Sequence, residues 1–338
     1  MYYKPPFEKN FNNDLRKVGF EIEYSGIEIE ESVEIIKNIF GGTVKSDNRY
    51  YYTIENSTVG DFTVKIDSSF LYEEKYNEIL DKLGINDILQ NQDHNLFNKI
   101  EKALEDISSG FIPNEIVTPP VSIDKLDTFD RLIKEMKSKK AKGTGESIIY
   151  AFATHINTEA PSLDVDIILR YLQSFLLLYD WLFKELKIDF TRKLTSFIDP
   201  FEKEYADLVL DPYYKPDLQS FTADYIKFNP KRDRPLDLYP LLGYLKPEAK
   251  KAEKSGIVKT RPTFHYRLPN SEIDIKKWNL SREWNYWWYI EKLAYEENDI
   301  KDLCLKYLDL EKNSILNFKG KWVEITEKWV KKNQIEDR

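Results

Sequence analysis

The stretch "KVGFEIEYSG", residues 17–26, decides the fold class, because its apolar and acidic residues alternate with a period of two. Alternation of this kind predicts a β-strand with one buried face and one polar face. Glu21 and Glu23 would share the polar face. Two carboxylates side by side repel each other unless solvent or a cation neutralises them. The stretch is therefore either a solvated strand face or one wall of a metal site.

Five further stretches have the composition of strands, and helix-like segments separate several of them. They are "RYYYTIE" (49–55), "DFTVKIDSS" (61–69), "FIPNEIVTPPV" (111–121), "IIYAFATHINT" (148–158) and "KTRPTFHYRLP" (259–269). Because strands and helices do not alternate strictly, the order favours an α+β fold with a largely antiparallel sheet of about six strands. Residues 273–333 have a helical, tryptophan-rich pattern. Trp284, Trp287 and Trp288 are expected to pack inside, with a partner or oligomer interface as the alternative.

The composition excludes several classes of protein. Hydrophobic residues make up 41% of the chain and charged residues 32%, which is typical of a globular protein. The net charge of −8 argues against nucleic-acid binding. The first ten residues lack an apolar signal core, and no apolar run of roughly 18 residues occurs, so we expect a cytoplasmic protein without a membrane segment. The one cysteine, Cys304, is expected to be a small buried hydrophobe.

The other predicted strands also have a face with chemically active residues. These faces comprise Thr63, Lys65 and Asp67; His155 and Asn157; and Arg261, Thr263, His265 and Arg267. Carboxylates and imidazoles bind divalent cations, and arginines bind phosphate. The faces together predict a trough for metal ions and phosphate, with an ordinary solvated sheet face as the alternative.

Motifs for other chemistries are absent from the sequence. It contains no P-loop, no dinucleotide-binding glycine motif, no zinc-binding spacing and no nucleophile elbow. Phosphate chemistry would therefore have to use metal ions and arginines on strands rather than a glycine loop at a helix start.

Five motifs, in chain order, resemble the amidoligase family of the carboxylate–amine ligase superfamily, which has the fold of glutamine synthetase and glutamate–cysteine ligase. The motifs are "GFEIEYSG", "FTVKIDSS", "NEIVTPP", "THIN" and "TFHYRLP". The resemblance spans about residues 17–270. It implies a curved antiparallel sheet whose concave face holds ATP and Mg²⁺ (or Mn²⁺), with helices on the convex face. We therefore expect a catalytic domain over residues 1–270 and a helical C-terminal extension over 271–338.

The resemblance also implies a reaction. Such a ligase uses ATP to phosphorylate a carboxylate, and an amine then displaces the phosphate. The substrates would be small-molecule or peptide carboxylates and amines, and a separate glutamine amidotransferase could supply ammonia. Two alternatives stay open: a catalytically weakened nucleotide- and metal-binding module, and a metal-dependent hydrolase on the same sheet.

Carried over residue by residue, the resemblance assigns roles to particular side chains. The metal ligands would be Glu21, Glu23, Glu115, His155 and His265. The catalytic candidates are Arg267, Glu115 and Arg234; the nucleotide-binding candidates are Asn157, Arg267, Arg232 and Lys65; the substrate-binding candidates are Asp67 and Arg261. His265 stands where the family usually has Glu. Its imidazole therefore either ligates a metal or marks a weakened site.

Overall fold

The computed structural model describes residues 1–66, 113–143, 152–188, 198–252, 258–313 and 317–335. Asp67, a predicted substrate-binding residue, lies outside the described residues. Nine strands within these ranges form one sheet. They are β1 (Lys17–Tyr24), β2 (Thr43–Asn48), β3 (Tyr51–Ser57), β4 (Gly60–Ile66), β5 (Asn114–Val117), β6 (Val121–Ser122), β7 (Thr154–Glu159), β8 (Leu236–Asp237) and β9 (Thr263–Tyr266).

The strands run in the order β2-β3-β4-β5-β1-β7-β9-β8, with β6 paired to β1. Every pairing is antiparallel, which confirms the prediction of a largely antiparallel sheet. The predicted count of about six strands is wrong. Strands β6 and β8 have only two residues each, too few to show alternation, and β2 reads "TVKSDN", with a single large apolar residue. These three strands therefore leave no recognisable pattern in the sequence.

Ten α-helices and one 3₁₀ helix (Ile123–Phe129) complete the described part of the chain. The α-helices are α1 (Ile29–Phe40), α2 (Asp130–Ser138), α3 (Val165–Glu185), α4 (Lys203–Leu210), α5 (Leu218–Phe228), α6 (Tyr239–Leu245), α7 (Pro247–Ala252), α8 (Leu280–Tyr295), α9 (Glu297–Asn313) and α10 (Phe318–Lys332). The last three form the predicted helical C-terminal region. Among the described residues, no helix combines the length and the apolar character that crossing a membrane requires.

One face of the sheet packs into the hydrophobic core. Phe20, Ile22 and Tyr24 of β1 are fully buried on this face. Helix α3 covers the other end of the sheet, where the ring of Tyr171 stacks on Phe264 of β9 at 4.6 Å between centroids. Since the apolar residues of each strand lie on this side, the period-two pattern directs the intervening polar residues to the opposite side.

A buried ion pair joins the C-terminal helices to the sheet. The guanidinium of Arg16 contacts both carboxylate oxygens of Glu291 in α8 at 2.8 Å, and both side chains are fully buried. Trp287 Nε1 donates to the same carboxylate at 2.7 Å. Trp284, Trp287 and Trp288 are all buried, which confirms the packing prediction for them, and Cys304 is buried as expected. The domain division at residue 270 stays a prediction.

Candidate active site

The second face of the sheet gathers the predicted site residues through strand register. Paired residues of antiparallel strands lie side by side and share a face. Register therefore unites residues from six strands into one surface, which we call the polar face. It consists of Lys65, Glu115, Glu23, Glu21, His155, Asn157, His265 and Asp237. Glu23, Glu115 and His155 are only 6%, 5% and 7% exposed, so this is not an ordinary solvated sheet face.

Glu21 lies at the centre of the polar face. Its Oε2 lies 3.0 Å from Nδ1 of His155, and its Oε1 accepts a hydrogen bond from Nδ2 of Asn157 at 2.8 Å. Burial acts to raise the pKa of Glu21, but the nearby His265, His155 and Arg261 outweigh burial and hold that pKa well below its ordinary value. Glu21 is therefore a carboxylate anion at neutral pH.

The two histidines of the polar face lie against each other. Their ring centroids are 5.0 Å apart and the rings are nearly perpendicular, at 74°. Burial lowers the pKa of His265 well below its ordinary value, and Arg267 adds to this effect while Glu21 opposes it. The His265 imidazole is therefore neutral at pH 7, which is the form that binds metals. Glu21, His155 and His265 each offer one ligand atom, and these atoms lie within 4.8 Å of one another.

A second pair of carboxylates lies beside this cluster. Glu23 and Glu115 are register partners. Oε2 of Glu23 accepts a hydrogen bond from the backbone N–H of Ala153 at 2.7 Å, and Oε1 lies 4.0 Å from Nε2 of His155. This distance of 4.0 Å between Oε1 of Glu23 and Nε2 of His155 is short enough for both atoms to bind one metal ion at about 2.1 Å each. Lys65 pairs with Glu115, with 2.5 Å between Nζ and Oε2.

These donors fit a divalent cation. Adjacent buried carboxylates attract positive charge, because burying charge away from water is costly unless it is compensated, and Lys65 supplies one such charge to Glu115. Carboxylate oxygens and neutral imidazole nitrogens are both ligands of divalent metals. We therefore identify Glu21, Glu23, Glu115, His155 and His265 as the residues that could hold one or two ions.

A positively charged group adjoins the cluster of candidate metal ligands. Asp237, fully buried in β8, is the register partner of His265. Its Oδ2 accepts hydrogen bonds from Nε of Arg232 at 2.8 Å and from Nη2 of Arg267 at 3.1 Å. One carboxylate facing two guanidiniums leaves a net positive charge, which suits a phosphate group. Burial, with Arg232 adding to it and Asp237 opposing it, lowers the pKa of Arg267.

Sequence reasoning did not single out Asp237. The two-residue strand β8 is too short to reveal a face by alternation. The available signal was an acidic residue close to the arginines of "NPKRDRP", and such a pairing is common on protein surfaces.

The two remaining arginines have different positions. Arg261 lies at the edge of the polar face, where its Nη2 donates to Oδ1 of Asn157 and lies 3.4 Å from Oε1 of Glu21. Arg234 donates instead to Oδ1 of Asn229 and to the carbonyl of Pro200, both at 2.7 Å. These contacts join the segment before α4 to the end of α5. The structure therefore does not group Arg234 with the polar face.

Comparison with known protein families supplies a match for most of this region. A family model described as "Putative amidoligase enzyme" matches residues 14–289, more than half of the chain. The matched range contains every residue of the polar face and continues into α8. No curated protein and no solved structure matches the chain significantly.

Proposed function

The chain belongs to the amidoligase family, and we propose that it is an ATP- and divalent-metal-dependent ligase that joins a carboxylate to an amine through an acyl phosphate. One observation carries the proposal: a cluster of candidate metal ligands and an arginine pair, the buried Arg267 and the partly exposed Arg232, adjoin each other on one sheet face. His265 connects them, since its register partners are Asn157 on one side and Asp237 on the other.

Each group on the polar face has a role in such a reaction. A divalent cation, when bound by Glu21 and its neighbours, would offset negative charge on the γ-phosphoryl group. Arg267 and Arg232 would donate hydrogen bonds to phosphoryl oxygens, where charge develops during transfer. Asp237 holds both guanidiniums in place for that contact.

Burial of the site supports the acyl-phosphate step. An acyl phosphate is hydrolysed by water, so an enzyme that forms one gains from excluding water. His265, Arg267 and Asp237 are all buried. Arg261 is about one-third exposed, and we assign it to binding the substrate carboxylate at the rim. The amine would be ammonia, an amino acid or a peptide, and ammonia could come from a separate glutamine amidotransferase.

The test measures phosphate release by the purified protein with ATP and Mg²⁺ or Mn²⁺. Glutamate and glutamate-containing peptides serve as carboxylates, ammonia and glycine serve as amines, and mass spectrometry detects the amide. We expect phosphate release that requires the metal, and an amide product that requires both substrates. Glu21→Gln should abolish turnover, whereas Glu34→Gln, on the exposed side of α1, should retain it.

Other outcomes would favour the alternatives. Normal turnover by a folded Glu21→Gln protein would contradict the proposal. Binding of ATP and Mn²⁺ without turnover of any substrate pair would favour a weakened binding module. Hydrolysis of a phosphate ester or amide without ATP would favour a metal-dependent hydrolase.

A further inference from the structure

We infer that the Glu21–His155–His265 cluster selects a first-row transition metal, of the Mn²⁺ to Zn²⁺ series, over Mg²⁺. The inference rests on the proposed function for the presence of a metal at this position, and it names the class of metal. Its basis is the donor set, which contains two imidazoles and one carboxylate within 4.8 Å.

The hydrogen bonds around Asn157 fix the proton on His265. Nδ2 of Asn157 donates to Oε1 of Glu21 at 2.8 Å, so its Oδ1 faces Nδ1 of His265 at 2.6 Å. Arg261 donates to the same Oδ1, which agrees with this orientation of the amide. A carbonyl oxygen can only accept, so Nδ1 of His265 must carry the proton. The neutral ring then has its lone pair on Nε2, ready to bind a metal.

This arrangement is the one that metal-binding histidines usually have. A ligating imidazole donates its other N–H to an oxygen, which fixes the tautomer and the ring orientation. Asn157 provides that oxygen for His265. His155 contacts carboxylates on two sides, with Nδ1 3.0 Å from Glu21 and Nε2 4.0 Å from Glu23. Both imidazoles are thus held by oxygen atoms of the same polar face.

The donor types decide between the metals. Mg²⁺ is a hard cation that prefers oxygen ligands and keeps several water molecules. Imidazole nitrogen suits Mn²⁺, Fe²⁺, Co²⁺ and Zn²⁺ better, and two histidines with one carboxylate form a common site for such ions. A glutamate at position 265 would replace one imidazole of the cluster by a second carboxylate and favour Mg²⁺. The histidine found there therefore changes the preference of the site.

Metal titrations of the full chain test the inference without ATP or turnover. The visible absorption of Co²⁺ measures Co²⁺ binding. Electron paramagnetic resonance measures the binding of Mn²⁺ and the displacement of bound Mn²⁺ by Mg²⁺. We expect Mn²⁺ and Co²⁺ to bind at least about tenfold more tightly than Mg²⁺, as for the loss or gain of a well-held ligand. His265→Glu should reduce that ratio by a similar factor. Cys304→Ser should leave the Co²⁺ spectrum unchanged, which excludes a thiolate ligand.

A second measurement does not depend on whether a variant folds. Electron spin echo spectroscopy of Mn²⁺ bound to the wild-type protein should detect coupling to imidazole nitrogen. Absence of nitrogen coupling, or equal affinity for Mg²⁺ and Co²⁺, would overturn the inference. A ligase that prefers Mg²⁺ would overturn the inference alone. The expected selectivity without any ligase activity would overturn only the proposed function.

Discussion

Oδ2 of Asp237 accepts a hydrogen bond from Nη2 of Arg267 at 3.1 Å, and both side chains are buried. The same oxygen accepts from Arg232 at 2.8 Å, while Oδ1 accepts from the backbone N–H of Tyr239 at 2.9 Å. The carboxylate thus fixes the positions of two guanidiniums whose combined charge it only half neutralises. Asp237 therefore affects anion binding in two opposite ways: its negative charge weakens the attraction of anions, and its hydrogen bonds hold the arginines where they can bind them.

Asp237→Asn should weaken the binding of inorganic triphosphate about tenfold, measured by isothermal titration calorimetry. The substitution removes a negative charge, so electrostatics alone would tighten anion binding. It also removes charge-assisted hydrogen bonds of roughly 1.5–3 kcal/mol each that hold the arginines in position. Asp166→Asn, a loss of the same charge at an exposed position of α3, should have no effect. Tighter binding by Asp237→Asn would show that Asp237 only tunes charge.

The two arginines of "RDR", at positions 232 and 234, should respond differently to substitution by methionine. Arg232→Met should weaken triphosphate binding and change the free energy of unfolding little, because Arg232 is partly exposed and faces Asp237. Arg234→Met should lower the free energy of unfolding by about 1–3 kcal/mol, because it removes the hydrogen bond from Arg234 to Oδ1 of the buried Asn229. For both variants, isothermal titration calorimetry measures triphosphate binding and urea unfolding measures the free energy of unfolding. The reverse assignment of the two effects would contradict the geometry of the polar face.

Glu291→Gln should lower the free energy of unfolding by about 3 kcal/mol or more, because it leaves the buried Arg16 guanidinium without a counterion. The double variant Arg16→Met/Glu291→Leu should recover part of the loss. Urea unfolding followed by tryptophan fluorescence measures both. Asp302→Asn, which breaks an exposed ion pair with Lys306 in α9, is the control and should change nothing measurable. An unaffected Glu291→Gln protein would show that α8 is not anchored through this pair.

Cys304 should resist alkylation by iodoacetamide at pH 8 in the native protein and react rapidly once unfolded. Burial raises the pKa of its thiol to about 12, so almost no thiolate is present at pH 8. Above about pH 9 the unfolded thiol ionises and the native thiol does not, so this group's contribution to stability is lost as the pH rises towards 12. The Cys304→Ser protein should not show this part of the decrease in stability at alkaline pH. Rapid labelling of the native protein would contradict the burial of this thiol.

The sequence predicted the polar face well where strands are long and one face is buried. Val18, Phe20 and Ile22 must enter the core, so the period of two leaves Glu21 and Glu23 only one side of the sheet. The same period of two places His155, Asn157 and His265 on the polar side of their own strands, opposite the buried Ile156 and Phe264.

The remaining parts depend on contacts that no local pattern encodes. The partnership of Glu23 with Glu115 follows from strand register, which is set by packing across the whole sheet. Asp237 lies on a strand too short to show a period. Arg232 and Arg234 are two residues apart in irregular chain, and only the path of that chain decides that one contacts Asp237 and the other Asn229.

The central position of β1 has a consequence for the order in which the protein matures. β1 pairs with β5 and β7, and β9 joins through β7, so a growing chain exposes the two glutamates long before His265 is synthesised. The ion pair between Arg16, next to β1, and Glu291 of α8 joins residues 275 positions apart. Contacts so distant in sequence slow folding, because a long loop must close before they form. The carboxylates of β1 therefore acquire the last of their histidine and arginine neighbours late, and the polar face cannot be complete until the chain has been synthesised past Arg267.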